Sequence, residues 1–157
     1  SGDGYVQDTD NLRIQKFDSS GNFILAFGSF SAQPTAVGID PSGNVYAGDQ
    51  SHKLQKFNPS GEFVTEISSH GSSSGQVHNI KDLEFDSEGN LYVHAGSQIN
   101  NHNRIEVFVP SGGGSGDWAT VTSSVPDHWA SISIDADDNL YISDNNARLI
   151  SQYRLNN

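Results

Sequence analysis

Three short stretches carry side-chain oxygens at closely spaced positions: Asp40-Pro-Ser-Gly-Asn44, Asp86-Ser-Glu-Gly-Asn90 and Asp135-Ala-Asp-Asp-Asn139. Oxygens at such spacing suit a calcium ion, and Asp135, Asp137 and Asp138 form the densest set. No stretch has the distal glutamate that completes an EF-hand loop. The same residue types also build tight hairpin turns, because Asp and Asn bond their own backbone and Gly supplies a positive φ. Six histidines are present, with no His-x-x-x-His pair to mark a tight ligand motif. The chain has no cysteine, so a thiolate site and a disulfide are both excluded. Serine is abundant, yet no Gly-x-Ser-x-Gly elbow opens a helix. Gly112-Gly-Gly-Ser-Gly116 reads as a flexible loop, because a phosphate cradle needs a helix after it. No residue set fixes a reaction, and a non-catalytic protein is the leading reading.

The elements that must position these residues repeat. Asp40-Pro-Ser-Gly-Asn-Val-Tyr-Ala, Asp86-Ser-Glu-Gly-Asn-Leu-Tyr-Val and Asp135-Ala-Asp-Asp-Asn-Leu-Tyr-Ile align, and Ser1-Gly-Asp-Gly-Tyr-Val matches their latter part. Tyr5, Tyr46, Tyr92 and Tyr141 lie 41, 46 and 49 residues apart. After each comes a second set: Arg13-Ile-Gln-Lys-Phe17, Lys53-Leu-Gln-Lys-Phe57, Arg104-Ile-Glu-Val-Phe108 and, more loosely, Leu149-Ile-Ser-Gln-Tyr153. Apolar residues recur at period two in short runs between Gly turns, with no sustained helical period. A period of roughly 40–50 residues with several strands in each is the mark of propeller blades.

In these residues the chain resembles the NHL-repeat β-propellers. Pro34-Thr-Ala-Val-Gly-Ile-Asp40 fits the first part of their repeat. Tyr5-Val-Gln-Asp8 and Asn11-Leu-Arg-Ile-Gln-Lys-Phe-Asp18 fit the middle. The expected fold is all-β: a β-propeller of four-stranded antiparallel blades, partial or open, in one segment over 1–157. About four units cover roughly 1–30, 34–69, 80–122 and 129–157. The first lacks its innermost strand and the last its outermost. Ser68 to Gly75 reads as a loose Ser/Gly connection. Asp8, Asp49 and Asp144 are expected to pair with Arg13, Lys53 and Arg148 across their turns.

The resemblance places His78 and His128 before the innermost strands of consecutive blades, near one mouth of a central channel. His94 or His102 would join them from the expanded third unit. Relatives that act as amidating lyases bind zinc through channel-facing histidines, so the resemblance allows zinc at His78 and His128, as the turns allow calcium. A metal-dependent lyase or lactonase is therefore the alternative to a scaffold, and a sugar- or peptide-sensing ectodomain is the third reading. Trp118 and Trp129 fall outside the repeat consensus and are candidate anchors for a ligand or partner, against core packing.

Composition bounds the partners. Eight Lys and Arg against nineteen Asp and Glu give a formal charge of −11, with no basic stripe to neutralise phosphates, so nucleic acid is not an expected partner. No apolar run approaches a membrane span. The acidic, Cys-free character fits a secreted or surface protein. Expected partners are proteins, including other copies meeting through exposed end blades.

Overall fold

The computed structural model describes residues 2–71, 73, 75–96, 104–110, 117–122, 131–144 and 148–154. It is all-β, and one 3-10 turn, Thr9–Asn11, is the helical element among the described residues. The strands form four sheets in chain order. Sheet I holds β1 (Gly4–Asp8), β2 (Arg13–Phe17) and β3 (Phe23–Phe27). Sheet II holds β4 (Pro34–Ile39), β5 (Val45–Asp49), β6 (Leu54–Phe57), β7 (Phe63–His70) and β8 (Gln76–Val77). Sheet III holds β9 (Ile80–Phe85), β10 (Leu91–Ala95), β11 (Arg104–Val109) and β12 (Asp117–Thr122). Sheet IV holds β13 (Ile132–Ile134), β14 (Asn139–Asp144) and β15 (Leu149–Arg154). All pairings are antiparallel except β7 with β8.

The Asp-to-Asn stretches make the turns between strands. Asp18, Asp40, Asp86 and Asp135 each accept the backbone N–H of residues two and four ahead through Oδ1. The side-chain amide of Asn22, Asn44, Asn90 or Asn139 donates to the other carboxylate oxygen. The fourth turn residue is left-handed: Gly21, Gly43 and Gly89 at φ 81 to 85, and Asp138 at 57. Glycine takes that conformation without a Cβ clash, and Asp tolerates it better than most residues.

Each sheet is stacked on its sequence neighbours, so an inner sheet must be apolar on both faces. All five residues of β5 and of β10 are buried. Val45 and Ala47 pack toward sheet I with Ile14, Phe30 and Phe57. Tyr46 faces the other way and packs with Ile80, Leu83 and Leu91 of sheet III. Tyr92 of β10 repeats this toward Ile132, Leu140 and Ile142 of sheet IV. Strand alternation delivers one face to each seam.

The II/III seam is tightly closed. A Cβ on Gly48 would lie 2.7 Å from Ile80 Cγ2, and one on Gly38 would lie 3.1 Å from Leu83 Cβ. The loose connection expected after Ser68 is instead partly ordered into strand: β7 runs on to His70, and Gln76–Val77 adds to its edge in parallel. The cause is a long-range clamp. Arg104 Nη2 donates to the Gln76 carbonyl at 2.6 Å, and the Gly75 N–H donates to Glu106 Oε2.

Gly48→Ala therefore overpacks a closed seam against a β-branched side chain, and should cost about 1–3 kcal/mol in urea unfolding. Gly4→Ala, with nothing within 4 Å of its added Cβ, should be near neutral in the same measurement.

Candidate functional site

The side chains with the most chemical potential gather at the junction of sheets II and III. His52 sits in the β5–β6 turn at φ 66, a left-handed conformation held by Asp49. The Asp49 carbonyl accepts the His52 N–H, and the Asp49 N–H donates to the Lys53 carbonyl. His70 ends β7. His78 lies between β8 and β9, positioned by the clamp on residues 75 and 76. One ring nitrogen of each histidine falls within 4.8 Å of the others, the one such group of three or more potential ligands among the described residues. The ring centroids are 4.5 to 4.8 Å apart. His70 Nε2 and His78 Nδ1 share a hydrogen bond of 2.8 Å, and His52 Nδ1 accepts the Asn79 N–H at 2.9 Å. Burial, then the neighbouring His78 and His70, lower the pKa of His52, against a smaller upward pull from Asp49.

Of these three, sequence reasoning singled out His78 alone. The link to His70 depends on the parallel β7–β8 pairing, which no local pattern announces. His52 occupies the turn position before Lys53-Leu-Gln-Lys-Phe57, and its left-handed backbone reads from sequence as ordinary turn chemistry. His128, His102 and Trp129 lie outside the described residues. His94 is fully buried on β10, opposite Asp82 and Ile105, facing the III/IV seam.

The acidic cluster is spread over turn and seam bonds. Asp135 accepts the N–H groups of Asp137 and Asn139, the Asn139 side chain and the Tyr141 hydroxyl. These bonds, led by those from Asn139, lower its pKa to about 2. Asp138 accepts both the backbone N–H and the hydroxyl of Ser87 across the III/IV seam, at 2.8 and 2.6 Å. Asp82 ties the same seam through the Ser131 hydroxyl and the Ile132 N–H.

Trp118 belongs to the repeat. It stands opposite Phe108 with centroids 5.1 Å apart, as Phe23 stands opposite Phe17 and Phe63 opposite Phe57. Tryptophan fills an aromatic position that the sequence alignment had left unmatched. The expected turn pairing holds for Asp8, whose Oδ2 meets Arg13 Nε at 2.7 Å. It does not hold for Lys53, whose ammonium pairs with Glu66 at 3.3 Å. Asp49 is 1% exposed, and its Oδ1 is taken by the Ser51 hydroxyl and the Lys53 N–H. An ammonium reaching a carboxylate that deep would lose much of its own hydration.

No protein-family model and no curated protein sequence matches the chain. Among solved structures it is similar to a protein of unknown function from Bacteroides caccae, at 13% identity and a TM-score of 0.64. The match covers 97% of this chain and 53% of that one, so the chain spans about half of the neighbour's length. The likeness is one of fold. No helix among the described residues is long and apolar enough to cross a membrane.

Glu84, half-buried on β9, has its pKa raised to about 7 by burial and then by Asp82. A carboxyl raised in the folded state holds its proton more tightly there than in the unfolded chain. Its stabilising share is complete below about 4.5 and is lost as pH rises toward 7. Glu84→Gln should remove about 1–2 kcal/mol of stability loss between pH 4.5 and 7.5, allowing for half exposure to water. Urea melts across that range measure it.

Proposed function

We propose that the chain is a non-catalytic interaction module of the NHL-type β-propeller kind, acting outside the cell, and that its partner is a second copy joined end to start. One observation carries the reading: at two central positions of the repeat, the residue is buried in each sheet that has a neighbour on that side and exposed in the sheet that has none. Ile14, Leu54, Ile105 and Ile150 occupy one position, each opposite the residue two after its unit's Tyr. The first three are 0% exposed and Ile150 is 71% exposed. Val6, Ala47, Val93 and Ile142 occupy another, one after the Tyr. Ala47, Val93 and Ile142 are at most 2% exposed, and Val6 is 51% exposed.

Sheet IV therefore presents the half-seam that sheets I to III bury against their successors. Sheet I presents the half-seam that sheets II to IV bury against their predecessors. A second copy offering sheet IV to sheet I would rebuild an internal seam. The contact is heterologous, closing a ring if the rotation allows and otherwise growing a chain. Two copies would also supply about the length of the solved neighbour.

The magnitude is modest. Val6 at 51% and Ile150 at 71% exposure would each contribute up to about 1.5–3 kcal/mol on full burial. Association costs about 4–15 kcal/mol in lost freedom. Apolar contact alone thus gives weak assembly, and seam hydrogen bonds of the Asp82–Ser131 kind must add to it. The expected association is in the micromolar range.

Light scattering after size exclusion should give a mass of at least twice the 16.9 kDa chain at tens of micromolar, falling on dilution. Val6→Lys at one end or Ile150→Lys at the other should each return it to monomer. A parent chain that stays monomeric throughout defeats the reading, whether or not it binds an apolar dye. In that event a dye-binding monomer points to a different partner for the same faces.

A further inference from the structure

The three imidazoles come from three separate segments, the β5–β6 turn, the end of β7 and the link from β8 to β9, and we propose that His52, His70 and His78 form a transition-metal site whose ion staples the 71–79 connection to the β5–β6 turn. The site stands apart from the end faces and does not depend on self-association. The donors set the class of ion. The group offers three imidazole nitrogens and includes neither carboxylate nor thiolate. Imidazole suits zinc, copper, nickel and cobalt, whereas calcium and magnesium require oxygen.

The three nitrogens lie within 4.8 Å of one another and must draw together to coordinate one ion. Metal–nitrogen bonds of about 2.0–2.1 Å in a tetrahedron place ligand nitrogens about 3.3 Å apart. His70 Nε2 and His78 Nδ1, at 2.8 Å, are closer than that because a hydrogen lies between them. An ion takes the place of that hydrogen. The donating ring then carries its hydrogen on its other nitrogen, the pair opens by about half an ångström, and His52 closes in. No proton need leave the site.

The arms are unequal. The His52 backbone is fixed by the turn, and Arg104 and Glu106 hold the segment leading to His78. His70 is exposed, and its ring packs against His52 and His78, the two rings it would join at the ion. His52 has one bond to exchange. Its Nδ1 accepts the Asn79 N–H, and either mode of ligation removes that contact: coordination through Nδ1 takes the lone pair, and coordination through Nε2 places a hydrogen on Nδ1. The exchange lowers affinity into the micromolar range and makes the Asn79 amide a reporter. With three protein ligands at a partly exposed site, the fourth position falls to water or to an incoming ligand.

Titration of the untagged chain with zinc chloride, followed by calorimetry, should give one site per chain. Cobalt in place of zinc should produce the visible bands of a four-coordinate nitrogen site. In an amide NMR spectrum the Asn79 resonance should be among the first to move. His70→Ala should weaken binding at least about tenfold. His52→Asn should do the same, since Asn tolerates the left-handed backbone and removes the imidazole. His128→Ala should leave affinity unchanged. Zinc at a hundredfold excess over Kd should raise the parent's Tm by about 5–10 °C and raise that of His70→Ala by much less. The proposal is overturned if zinc does not bind below millimolar concentration, or if His70→Ala binds as the parent does. It is equally overturned if His128→Ala abolishes binding, which would put the ion on His78 and His128 instead.

Discussion

Each sheet of this chain is too thin to hide its own apolar side chains, and this one constraint governs the rest. A strand such as β5 has no solvated face, so its sheet exists only as the middle layer of a stack. The stack in turn limits side-chain size at the points of closest approach. Gly48 lies against Ile80 and Gly38 against Leu83, so one partner is large where the other has no side chain at all. Mixed large and small residues at facing positions let two pleated surfaces interdigitate at protein-interior density.

The Tyr-centred strand adapts to its polar neighbours in a regular way. In the first two sheets a lysine on the next strand lies over the Tyr ring and meets a turn carboxylate: Lys16 over Tyr5 with Asp3, and Lys56 over Tyr46 with Asp40. In the third and fourth sheets Val107 and Gln152 replace the lysine. The Tyr92 and Tyr141 hydroxyls then donate straight to Asp86 and Asp135. The turn carboxylate thus has a donor from its own sheet in all four units, supplied by ammonium or by phenol. A buried or half-buried carboxylate left without one would be costly.

Much of the architecture was legible because its signals are local. The Asp-to-Asn turns, the Tyr strands and the unit spacing are each set within a few residues, and the four sheets follow them. The histidine cluster was not legible, because it depends on a parallel pairing of β7 with β8 created by Arg104 and Glu106, some thirty positions further along. Lys53 went to Glu66 rather than Asp49 for a similar reason: depth of burial is a property of the stack and is absent from any single turn. Trp118 was hidden by an expanded loop that put its cross-strand pairing with Phe108 out of phase with the other units.

The open face on each terminal sheet also bears on how the chain reaches its native state. Seams join sheets adjacent in sequence, so assembly proceeds largely by short-range encounters, beginning at any seam and spreading in both directions. Whatever number of sheets has formed, the growing stack shows the same two half-seams at its ends. On the proposed end-to-start contact, a partly formed stack on one chain is a template for a neighbour's sheet as well as for its own, and the chain's own sheet has the advantage of being tethered. Crowded refolding should favour exchanged sheets and runaway joining, while slow addition at low concentration lets each chain finish alone.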